Sequence, residues 1–79
     1  MNRLKDLRED KDLYQKDIAK VLNVSQQQYS RCEKEENQLS YDGLIKLALF
    51  YQTSIDYILG STNIKQSYPR NKKGTNLNE

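Results

Sequence analysis

Through its first sixty residues the chain has two glycines, Gly43 and Gly60, and no proline. Hairpins use such residues at their turns, and half-buried strands need β-branched or aromatic residues in alternation. Neither pattern is present. Apolar residues recur instead at spacings of three and four, the period of an amphipathic helix. The fold class that follows is all-α: short helices with tight joints around one core.

The spacing predicts five helices. Leu4 and Leu7 open the first, which ends near Lys11. The second runs from Gln15 to Leu22, with Ile18, Ala19 and Leu22 on one face; small Ala19 suits a close helix crossing. Asn23 follows, a residue tolerant of the left-handed conformation that ends helices. Ser25 is a good N-cap for a third helix from Gln26 to about Lys34, with Tyr29 and Cys32 inward. Residues 35–38 form a polar loop. Ser40 caps a fourth helix whose stripe is Leu44, Leu47, Ala48 and Tyr51. Ser54 caps a short fifth, with Ile55, Ile58 and Leu59 inward and Gly60 as its stop.

This body spans residues 1–60 and reads as one domain. Residues 61–79 read as a basic disordered tail, since Ile64, Tyr68 and Leu77 are too few to offset the entropy of ordering it. The tail carries Lys65, Arg70, Lys72 and Lys73 against Glu79, or +3. Of the overall +2, that leaves −1 for the body. Net charge alone therefore does not nominate the body as a binder of polyanions.

Composition removes several function classes. There is no histidine and one cysteine, Cys32. Intramolecular disulfides, Cys/His zinc sites and His-dependent catalysis are excluded. Cys32 reads as a small buried apolar group and the tyrosines mostly as core edges. No apolar run approaches the ~18 residues of a membrane span, and the N-terminus lacks a signal-peptide core. The expected setting is reduced and cytoplasmic, with no metal, cofactor, membrane or small-molecule ligand. So small a core predicts no pocket, which makes an enzyme the weakest reading.

The most informative segment is Gln15 to Glu33: helix, short turn, helix. The second of these helices offers Gln26, Gln27, Gln28, Ser30 and Arg31. Gln pairs with adenine N6 and N7, and Arg with guanine O6 and N7. Gln15-Lys-Asp-Ile-Ala-Lys-Val-Leu-Asn-Val-Ser-Gln-Gln-Gln-Tyr-Ser-Arg-Cys-Glu33 resembles the Cro/phage-repressor helix-turn-helix, or XRE, family. Leu44-Ile-Lys-Leu-Ala-Leu-Phe-Tyr-Gln-Thr-Ser-Ile-Asp-Tyr-Ile-Leu-Gly60 is similar to the last two helices of the same family. The likeness covers about residues 3–60 and implies a five-helix, lambda-repressor-like DNA-binding domain.

Carried onto this sequence, the resemblance implies a phosphate contact at Gln15 and a capped recognition helix at Ser25. It implies base reading by Gln26, Gln27 and Gln28, with Arg31 one turn on. It implies backbone contacts near Asn37 and Gln38, and an interhelical salt bridge between Arg8 and Glu33. The chain departs from the pattern at Tyr14, where Ser or Thr is the usual cap, and at Asp12, where Gly is common. Glu35 and Glu36 set negative charge beside the expected groove. The function so implied is a sequence-specific transcriptional regulator, bacterial or phage-encoded. It would be a repressor, binding double-stranded DNA at a pseudo-palindromic operator as a homodimer weak in solution. The expected self-contact is Ile45 and Leu49 of the fourth helix with Tyr57 of the fifth. The alternative, suggested by the acidic body, is a protein-interaction module, an antitoxin or anti-repressor, that retains the fold.

Overall fold

In the computed structural model, which describes residues 1–66, five helices carry the chain. They are α1 (Leu4–Asp10), α2 (Gln15–Leu22), α3 (Gln26–Glu33), α4 (Tyr41–Tyr51) and α5 (Ile55–Leu59). Among the described residues there is no strand. No helix among them is long and apolar enough to cross a membrane.

The helix boundaries sit where side-chain chemistry satisfies the loose backbone ends. The hydroxyls of Ser25, Ser40 and Ser54 accept from the N–H groups of Gln28, Gly43 and Tyr57, each at 3.0 Å. Each such cap contributes about 1 kcal/mol. Tyr14 supplies no side-chain cap to α2; Asp17 reaches back instead and accepts the Tyr14 N–H at 2.8 Å. At α1 the Asn2 side-chain Oδ1 accepts from Leu4 N–H, and its Nδ2 donates to Cys32 O at 3.0 Å.

The C-terminal stops are left-handed residues. Asn23 and Gln52 close α2 and α4 at φ 59 and 54, and Gly60 closes α5 at φ 84. Asp12, in the turn after α1, and Glu35, after α3, take the same conformation at φ 55 and 63. The turn at Asp12 thus forms without the glycine usual there.

The core is one cluster to which every helix contributes. Leu4 and Leu7 come from α1, Ile18, Ala19 and Leu22 from α2, and Tyr29 and Cys32 from α3. Leu47 and Tyr51 of α4 and Ile58 of α5 complete it. α2 packs most extensively on α3, with buried Ala19 on its inner face.

Two expectations fail on α5. Leu59 does not point inward but is 46 % exposed. α5 has only five residues, and Leu59 lies about 100° round the axis from buried Ile58, on the far side of half-buried Ile55. Tyr57 does not face outward freely either. It is half-buried, with the Arg3 guanidinium 4.2 Å above its ring.

Arg3 also governs the chain beyond α5. Its guanidinium donates to Tyr57 O at 2.7 Å, to Thr62 O at 2.8 Å and to the Asn63 side chain at 2.7 Å. The Thr53 hydroxyl donates to Lys65 O, and the Lys65 ammonium lies 3.6 Å from Asp10. Residues 61–66 are irregular in conformation, as expected, yet lie along the body. The rest of the expected disordered tail, residues 67–79, lies outside the described residues.

Candidate nucleic-acid interface

Apolar burial decides how α3 is oriented. Tyr29 and Cys32 face the core. At 100° per residue, Gln27 and Arg31 then fall on roughly the opposite side, stacked at i, i+4. Both are exposed. Gln26, also exposed, flanks this face together with half-buried Ser30. Arg31 makes no ion pair with any described residue. The result is a projecting amide at the capped start of the helix, whose dipole favours negative charge, and a guanidinium one turn on, in the last turn.

Gln28 is turned to the other flank, and its carbonyl is engaged. Its Oε1 accepts the Ser25 N–H at 3.1 Å while Ser25 Oγ accepts the Gln28 N–H. Ser25 and Gln28 thus form a reciprocal capping box.

A polar cluster lies behind this face. Arg8 Nε donates to Glu33 Oε2 at 2.6 Å and Arg8 Nη2 to Glu33 Oε1 at 3.1 Å. The two side chains are 12 % and 5 % exposed. Gln15 Nε2 donates to the same carboxylate at 3.0 Å, and Arg8 also holds Leu13 O at 3.0 Å. Glu33 at the end of α3 therefore holds α1 and the start of α2, and Arg8 holds the turn between them. Gln15 keeps a second amide hydrogen, so engagement with Glu33 does not use up its donors.

Burial pushes Glu33 upward, but the hydrogen bonds from Arg8 and Gln15, with the nearby Tyr29 hydroxyl, outweigh it and hold the carboxyl below its ordinary range. The hydrogen bond to Glu33 raises Arg8. Burial, reinforced by the Glu33 charge, pushes Tyr29 well up, and Tyr51 rises to about 12. The hydroxyls of Tyr29 and Tyr51 are buried and lack a partner of good geometry among the described residues. Sequence reading missed this part of the cluster; the one signal for it was the i, i+4 spacing of Tyr29 and Glu33.

Asn37 and Gln38 are exposed on the loop after α3. Glu35, beside this loop, is also exposed, and its carboxylate accepts the Asn2 N–H at 3.3 Å, just ahead of α1. The expectation of no pocket needs correction. Two open clefts of about 350 and 300 Å³ flank residues 37–39 and share Cys32. Each is lined by a single carboxylate, Glu35 in one and Asp42 in the other. Burial pushes the Cys32 thiol up, away from the reactive thiolate. No described group of three His, Cys, Asp or Glu residues is placed to hold a metal.

Comparison with known families agrees with this geometry, since the helix-turn-helix family model matches residues 4–58. The chain belongs to the helix-turn-helix family. It is 30 % identical over 77 residues to "HTH-type transcriptional regulator ImmR" of Bacillus subtilis (strain 168), covering 98 % of this chain and 61 % of that protein. It is 34 % identical over 61 residues to "Uncharacterized HTH-type transcriptional regulator YobD" of the same organism, covering 77 % and 54 %. The chain thus spans less than two thirds of either relative. No solved structure matches it. Within this helix-turn-helix unit, α2 and α3 are the two helices and Asn23 sits in their turn. The likeness to the Cro and phage-repressor group drawn from residues 15–33 and 44–60 therefore holds.

Proposed function

We propose that this chain is a sequence-specific DNA-binding regulator of transcription, acting as a repressor by occupying an operator. The observation that carries the reading is the outer face of α3. Gln27 and Arg31 project from it with Gln26 beside them, and the buried Arg8–Glu33–Gln15 cluster anchors it from behind. In this reading α3 enters the major groove, Gln26 and Gln27 read adenine, and Arg31 reads guanine or holds a phosphate. The free amide hydrogen of Gln15 and the side chains of Asn37 and Gln38 meet the sugar-phosphate backbone. The names of the two relatives support the regulatory part of the proposal.

One copy reads only a few base pairs, so the working form is a homodimer on a pseudo-palindromic operator, with half-sites about 34 Å apart. α4 supports this with a second apolar stripe besides its buried one. Tyr41, Ile45 and Leu49, at i, i+4 and i+8, are 73, 36 and 53 % exposed, and Phe50 adjoins them at 40 %. Covered Tyr57 drops out of the expected self-contact. The domain comprises residues 1–60, and the basic residues beyond it serve as an accessory arm to DNA.

Selection of bound duplexes from a random pool, followed by gel shifts over a salt series, tests the proposal. A recurring inverted repeat bound far more tightly than random DNA is expected. Absence of DNA binding even at low salt would favour a protein-interaction module on the same helices, the reading to which the −1 body charge lends support.

A further inference from the structure

The three adjacent glutamines of α3 are not chemically equivalent. Gln26 and Gln27 have side-chain amides with no hydrogen bond to any described residue. Either can turn to offer a donor and an acceptor together, the pair that adenine N7 and N6 require. Gln28 cannot. The Ser25 N–H points at its Oε1 from 3.1 Å. Reversing the amide would set two donors face to face and leave a helix-end N–H without an acceptor. The carbonyl of Gln28 is therefore fixed inward on the cap, and its exposed end is an NH2 group with two donors and no acceptor.

We propose that Gln28 is a donor-only specificity residue that selects guanine at the edge of each half-site. Guanine alone presents two adjacent acceptors, N7 and O6, in the major groove. Thymine offers only O4, adenine sets its N6 donor beside N7, and cytosine presents a donor. The place of this contact follows from the helix. Gln28 lies one residue round from Gln27, on the Cys32 flank, where it lines a cleft with Val24, Asn37 and Gln38. The guanine accordingly lies beside the step read by Gln27, toward the loop at residues 37–38. The capping box orders the side chain before DNA arrives, so less rotamer freedom remains to be lost on binding. This inference rests on the reading of α3 as the base-reading helix.

Gln28→Glu separates the two jobs of the residue. Its carboxylate can still accept the Ser25 N–H, as in a Ser-x-x-Glu capping box, but it has no donors. Gln28→Ala removes both. Duplexes are selected from a random pool with the whole chain, with each variant, and with Gln27→Ala as reference, and melting temperatures are measured in parallel. The wild-type chain is expected to select guanine at one outer position per half-site. Gln28→Glu should melt with the wild type yet lose that preference about tenfold, keeping every other position. Gln28→Ala should lose the preference and also melt lower. Gln27→Ala should relax a different position. An unchanged guanine preference in either Gln28 variant, or weaker binding with all base preferences intact, overturns the proposal and leaves Gln28 as a cap. If the wild-type chain selects no sequence at all, the base-reading assignment of α3 fails first, and this inference with it.

Discussion

Glu33 accepts hydrogen bonds from Arg8 of α1 and Gln15 of α2 while it ends α3. Removing its charge leaves the Arg8 guanidinium short of a partner in a largely buried site. Glu33→Gln is therefore expected to cost about 2–4 kcal/mol, read as a fall in melting temperature of about 10 °C or more. An unchanged melting temperature would mean that the pair contributes nothing. Because the folded state holds the Glu33 carboxyl below its ordinary value of 4.5, its contribution is complete above about pH 4.5 and lost as pH falls through the folded-state pKa. A thermal-melting series across pH 3–6 should show this loss in the wild type and a shallower acid slope in Glu33→Gln. The Arg8–Glu33 pairing was legible through the family likeness. The part played by Gln15 and the burial of the Tyr29 and Tyr51 hydroxyls were not. Spacing tells which face of a helix is inward, but not how far a long polar side chain at a helix end reaches into the interior.

Helix ends can be tested one by one. Ser25→Ala removes the hydroxyl that accepts the Gln28 N–H and is expected to cost about 1 kcal/mol. Gly60→Ala acts at the other kind of end. At φ 84 any side chain is strained, and a Cβ would stand 2.2 Å from the Met1 carbonyl oxygen. A loss of more than about 1 kcal/mol is expected, checked by urea unfolding; stability equal to wild type would contradict the backbone account. The elements themselves were the most legible level. Serines at 25, 40 and 54 and the stops at Asn23 and Gly60 stand where the structure begins and ends helices. Legibility gave out on α5, where five residues are too few to define a face. There the cover over Tyr57 depends on Arg3, more than fifty residues away in sequence. The left-handed turn at Glu35 was hidden, because glutamate does not announce that conformation, whereas Asp12 stands where glycine is common in the family.

At the scale of the whole molecule, the slightly acidic body and the basic segment after it divide the electrostatics. Residues 61–66 are held to the body through Arg3, Thr53 and Asp10, so a deletion confined to 67–79 spares those contacts. That deletion removes Arg70, Lys72 and Lys73. If these reach DNA phosphates, the slope of log K against log salt should shrink by about 1–3, near 0.9 for each phosphate no longer neutralised, with similar weakening on all sequences. An unaltered slope would make the segment a passive terminus. Self-association is tested by Leu49→Glu, which places a charge in the exposed stripe of α4. Cooperative footprinting across two half-sites should disappear while single-site binding persists; wild-type cooperativity would exclude this face. The central claim is that α3 reads base sequence, and Gln27→Ala on selected operator and on random DNA tests it most directly. The expected result is a loss of about 1–3 kcal/mol on the operator with little change on random DNA. Equal losses on both would contradict it.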